Sequence, residues 1–195
     1  MCTMTKSLLA GSALALAAAG ATSMYAMATT QDDADQARGI IKTFATTLQG
    51  ELKGAIKSGG PVNAVWVCEE KAPAIAAQLS EQTGWDVGRT SLKTRNATLN
   101  TPDAWEQTVL EQFESRKANG ESPKGMSYAS VVETDGGKVY RYMQAIPTQQ
   151  VCLACHGKDL PPDLAAALDK AYPEDQARGY SVGDIRGAFT LSKPL

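Results

Sequence analysis

A chain with one histidine can offer a metal only one imidazole, and here that residue, His156, closes the run Cys152-Leu153-Ala154-Cys155-His156. Two cysteines separated by two residues and followed at once by histidine match the attachment site of c-type haem, in which the thiols add to the two vinyl groups and the imidazole takes the iron. The spacing has a physical reason: one turn of chain must reach both vinyls on an edge of the macrocycle and still bring the ring nitrogen under the metal. A disulfide or thioredoxin-like pair at Cys152 and Cys155 would leave the placement of the single histidine to chance, and the run lacks the strand-before, helix-after setting of such a pair. A zinc site built from Cys68, Cys152, Cys155 and His156 has suitable ligand types, but adjacent Cys155 and His156 would strain a tetrahedron. The fold must therefore enclose one covalent haem c.

The N-terminus agrees with that chemistry. Lys6, the apolar stretch Leu8 to Ala21 and then Ala26-Met27-Ala28 have the three-part layout of a secretory signal, with cleavage expected after Ala28. The stretch is shorter than the roughly 20 residues that span a bilayer as a helix, so the reading is a leader (1–28) and one exported domain (29–195), periplasmic and without an integral membrane anchor. Cys2 precedes the apolar stretch, where a lipoprotein cysteine would have to follow it, and receives no role. Loss of Lys6 leaves 18 of the 19 basic residues against 21 acidic ones, in no long run of either sign, which argues against nucleic acid as partner. If haem thioethers consume Cys152 and Cys155, Cys68 remains as a single thiol in an oxidising compartment, where it must be hidden, ligated or reactive.

Apolar residues Ala37, Ile41, Phe44, Leu48, Leu52 and Ala55 recur at steps of three and four, predicting a long amphipathic helix from Asp32 to Ser58 that stops at Gly59-Gly60-Pro61. A second helix carries Val65, Cys68, Ala72, Ile75 and Leu79 on its apolar face to near Gly84, with a kink expected at Pro73. Trp85 to Thr94 reads as a strand, and Thr101-Pro102 opens a third helix through about Lys117. Tyr128 to Thr134 and Lys138 to Ile146 flank Asp135-Gly136-Gly137, a strong hairpin signal. A short helix, Asp163 to Ala171, and a last strand, Ile185 to Ser192, complete an α+β pattern.

His156 being alone, the second axial position must go to methionine, to cysteine, to another group or to none. No methionine follows the motif; Met126 and Met143 precede it within the exported part. Cys68, flanked by Val65, Trp66 and Ala72 as a candidate haem wall, is the other candidate, and its spacing fits equally well a small buried hydrophobe.

The runs Ala64 to Pro73, Gly88 to Asn96, Pro102 to Glu106, the haem motif, Gly179-Tyr180 and Gly183 to Gly187 occur in an order that resembles one family across essentially the whole exported part. It is the family of periplasmic, single-haem c-type proteins and sensor domains with a PAS-like fold, best known from a cyanobacterial member. The resemblance implies a PAS-like antiparallel sheet with flanking helices and a long N-terminal helix, and a haem held between His156 and Cys68. Some members carry kinase or transmembrane parts; here an output would pass through a signalling or redox partner.

Arg89 and Arg95, six apart in the expected strand, would share a face and could meet the haem propionates; otherwise they are surface arginines. The leading function is a low-potential redox or small-ligand (gas) sensor. The alternatives are a simple electron carrier and a cytochrome c′-like helical gas binder, against which stand the hairpin and about forty residues beyond the motif. No acid pair or second histidine accompanies the haem, so the chain is not expected to be an enzyme. Pairing of two copies through the first helix stays open.

Overall fold

The computed structural model describes Met1 and residues 18–195, with side chains described from residue 31 onward. Cys2 and most of the apolar stretch of the expected leader lie outside the described residues, as do the side chains around the expected cleavage site at Ala28.

Helix α1 (Ala18–Trp66) is bent at Gly60, whose φ of 74° and ψ of −175° leave the helical region. The expected stop at Gly59-Gly60-Pro61 is thus a kink. Glycine supplies the positive φ, and Pro61 fits the start of the continuing segment because its missing N–H would have had no partner there. The helix then widens into a π turn, Val67–Lys71, closed by the Ala72 N–H donating to Val67 O five residues back. Pro73 explains it: the ring has no N–H and would press on the carbonyl four residues upstream. The kink expected at Pro73 therefore falls one turn earlier, and Cys68 lies within it. Helix α2 (Ala72–Thr83) ends on Gly84, at φ 73°, whose N–H bonds Ser80 O at 3.0 Å.

Strand β1 (Asp86–Thr90) is shorter than the expected Trp85 to Thr94. After Thr90 the chain leaves the sheet, and the Ser91 N–H turns to Asn100 O at 3.2 Å. A short helix α3 (Ala97–Asn100), capped by Asn96, was not legible in the sequence. Helix α4 (Ala104–Ala118) starts after Asp103 rather than at Thr101-Pro102, because Asp103 and Glu106 form a reciprocal capping box. Strands β2 (Ser127–Thr134) and β3 (Gly137–Pro147) form the expected hairpin, with Tyr128 opposite Met143 and Thr134 opposite Gly137. Two short helices, α5 (Leu153–His156) and α6 (Pro162–Ala171), precede strand β4 (Ile185–Pro194).

The four strands form one antiparallel sheet in the order β1-β4-β3-β2. This is the α+β layout expected, with a long N-terminal helix and flanking helices, and it excludes the four-helix bundle. Strand alternation sends Tyr140, Tyr142, Phe189 and Leu191 to one face, under Ile41, Phe44, Ile75 and Leu79 of α1 and α2. Met143, Ala145 and Ala188 face the other way, under Val109, Leu110 and Phe113 of α4. A third cluster, Val65, Leu164, Leu168 and Tyr172, joins the end of α1 to α6 beside the sheet. Among the described residues no helix is long and apolar enough to cross a membrane.

Candidate functional site

The motif occupies a turn of 3-10 helix, Gln150–Cys152, and α5, so Cys152 and Cys155 stand one helical turn apart and His156 ends the turn. Cys68, Cys152 and Cys155 are free thiols, each half-buried. The Gln149 N–H donates to Cys152 Sγ at 3.3 Å. Cys155 packs on the third cluster with Val62 and Leu160, and burial pushes its thiol pKa up. That packing brings the motif against the end of the first helix, the part of the chain that carries Cys68.

The loop before β4 runs alongside the motif and holds it. The Tyr180 N–H bonds His156 O at 2.9 Å and the Gly179 N–H bonds Gly157 O at 3.0 Å. His156 Nδ1 lies 2.7 Å from Ala177 O, a contact that requires the proton on Nδ1 and leaves the lone pair on Nε2. Burial holds the pKa of His156 well below its ordinary value, and Arg186, Arg95 and Arg89 push it the same way, so the ring stays neutral. A neutral imidazole whose Nδ1–H is tied to a backbone carbonyl is in the state that a metal ligand needs.

Cys68 is close enough to influence Cys155, Arg89 and Tyr172 electrostatically. Tyr172 has its pKa raised first by burial and then by Cys68. Of the wall expected around Cys68, Val65 and Ala72 are buried, but Trp66 is 59% exposed and faces outward. The alternative ligands are placed elsewhere: Met126 and Met143, 2% and 0% exposed, pack under α4 on the opposite face of the sheet. Among the described residues no three His, Cys, Asp or Glu side chains gather as a metal-binding group.

The two arginines do not share a strand, because β1 ends at Thr90. Arg89 stays on the sheet, with its guanidinium carbon 5.5 Å from the centre of the Phe44 ring. Arg95 is a clamp: its Nε bonds Asp175 Oδ1 at 3.2 Å and its Nη2 bonds Cys155 O at 2.6 Å and Ala177 O at 3.1 Å. Sequence reasoning gave no role to Arg186, whose Nε lies 3.2 Å and 3.4 Å from the two ring nitrogens of His156 and whose Nη1 donates to Ser91 Oγ at 3.0 Å. Its one signal was its place in the Gly183 to Gly187 run. Asp175, which holds Arg95, carried no signal at all.

The solved structure of the cyanobacterial haem protein Tll0287 is similar in fold, with a TM-score of 0.63 at 23% identity, covering 84% of this chain and 95% of that one. No curated protein matches the chain. The site just described lies within the stretch matched by a single family model, Tll0287-like, which spans residues 13–194, and the chain belongs to that family.

Proposed function

We propose that this chain is an exported protein carrying one covalent c-type haem on Cys152 and Cys155, with His156 and Cys68 as axial ligands, and that it serves in the periplasm as a low-potential redox or small-ligand sensor. The observation that carries this reading is the imidazole of His156, tied through Nδ1 to Ala177 O at 2.7 Å so that its lone pair lies on Nε2, next in sequence to the free thiol of Cys155 and one turn from that of Cys152. The likeness to a haem protein of the same fold supports it.

When bound, the haem supplies an iron that exists in ferric and ferrous states. The work of the chain is to hold and bias it. Ala177 O fixes the tautomer and orientation of His156 and makes the ring a better donor. Cys68 offers a sulfur whose thiolate favours the oxidised metal, which sets a lower potential than methionine would. Its place in a π turn supports a sensing role, because such turns interrupt the helix ladder and cluster at functional sites. The output passes to a partner protein rather than through catalysis.

Intact-mass measurement of the exported protein tests attachment: wild type should carry one haem, and Cys152→Ser with Cys155→Ser should carry none. Electron paramagnetic resonance of the oxidised protein should give a low-spin thiolate signature that Cys68→Ala removes, and Cys68→Met should raise the potential. A wild-type mass without haem would sink the reading. A thiolate signature that persists unchanged through reduction and reoxidation, with no ligand exchange and no gas binding, would favour a plain electron carrier over a sensor.

A further inference from the structure

The arginines around His156 differ in what balances them. Arg95 and Arg178 share Asp175, and Arg178 also pairs with Asp169. Among the described residues, neither Arg89 nor Arg186 has a carboxylate within 4.0 Å. The groups that accept hydrogen bonds from the Arg186 guanidinium are neutral: His156 Nε2 at 3.4 Å, Ser91 Oγ and, at 3.2 Å from Nη1, Lys93 O. Arg89 lies between the sheet and α1 against Phe44, and the acidic groups that bear on it are the Cys68 thiol and the Tyr172 phenol. Arg89 pairs with Phe189 across β1 and β4, three residues along β4 from Arg186. Two guanidinium groups thus leave neighbouring strands with no carboxylate within 4.0 Å of either, in a chain whose acidic residues outnumber its basic ones by 21 to 19.

Holding two partly desolvated cations together costs free energy unless an anion joins them, and the planar guanidinium fork is suited to a carboxylate. A haem carries two carboxylates, so the charge at this site matches the charge the group brings. We propose that Arg89 and Arg186 are the counter-charges for the two haem carboxylates, and that Arg95 instead locks the motif to the loop before β4. The assignment rests on the haem reading above. It replaces the pairing suggested by spacing, Arg89 with Arg95, by one residue from each of two neighbouring strands, β1 and β4.

The test uses holoprotein matured with its covalent haem and reads the propionate-bending band in resonance Raman spectra, which reports hydrogen bonding to those carboxylates. Arg89→Gln and Arg186→Gln should each shift the band. The lysine variants, which keep the charge but lose the fork, should shift it less. Arg95→Gln should leave the band in place while lowering the melting temperature. A band unmoved in Arg89→Gln and Arg186→Gln, or one that moves in Arg95→Gln, overturns the assignment. If a glutamine variant yields no holoprotein, its lysine variant decides, and an unshifted band there counts against that arginine. Wild-type protein without haem would remove the functional reading and this assignment with it, whereas wild type with haem and an unmoved band removes the assignment alone.

Discussion

Asp175 organises the site from outside the motif. Its Oδ1 takes the Arg95 Nε and, at 2.9 Å, the Ala177 N–H, while its Oδ2 takes the Arg178 Nε at 2.8 Å. The side chain is 1% exposed, so this is a buried ion pair, and breaking one by removing a partner costs about 3 to 5 kcal/mol. Because Ala177 O orients His156, losing Asp175 frees both the loop and the ring. Asp175→Asn should lower stability by about 3 kcal/mol at neutral pH in denaturant titrations. The pH dependence has a definite sign. Burial raises the Asp175 pKa, but Arg178, Arg95 and the Ala177 N–H outweigh it and hold it below the ordinary carboxylate value. The carboxylate's contribution is therefore complete above pH about 4 and lost as pH falls through the depressed value. The stability gap between wild type and Asp175→Asn should narrow in that acid range; a gap that stays constant with pH would show that the ion pair contributes nothing.

At the scale of elements, the junction between β1 and β4 carries the site, since Arg89 leaves from one strand and Arg186 from the other. Gly187 makes that junction possible. Its φ is 153°, and a Cβ there would lie 2.4 Å from Thr90 O and 3.0 Å from Ser91 Cβ, so both backbone strain and backbone contact oppose any side chain. Gly187→Ala should cost roughly 3 kcal/mol and push the ends of β1 and β4 apart. Amide hydrogen exchange should then accelerate at Thr90 and Ala188, which pair across the junction, and not in the β2–β3 hairpin. Equal acceleration in both places would mean that the residue acts on the whole sheet. The hairpin was legible in the sequence because Asp135-Gly136-Gly137 is local turn chemistry. The end of β1 was not, because a contact between Ser91 and Asn100, nine residues on, takes the chain out of the sheet.

At the scale of the molecule, three apolar clusters are joined by one helix: α1 packs Phe44 on the sheet and Val65 against α6, on either side of the bend at Gly60. The cluster beside Cys155 is therefore coupled to the sheet core rather than attached as a separate unit. Urea unfolding of the holoprotein, followed by far-ultraviolet circular dichroism and by haem absorbance, should give coincident transitions. A haem signal lost at lower urea would mean that the bend at Gly60 uncouples the two parts.

The sequence alone set out the residue types: a motif that matches c-type haem attachment, one imidazole, Cys68 outside that motif and two methionines beyond residue 28. It also located the hairpin, α4 and α6, because periodicity and turn residues act over a few positions. Contacts distant in sequence decided the rest. Met126 and Met143 pack together under α4 because strand alternation turns Met143 away from α1. The π turn around Cys68 follows from Pro73 meeting a helix that must still bury Ile75 and Leu79. Arg95 leaves the strand that spacing gave it because β1 ends at Thr90, and Asp175, 80 residues away, takes its guanidinium. Charge pairing in a folded site depends on which groups the topology brings within a few ångströms, and no local pattern encodes that.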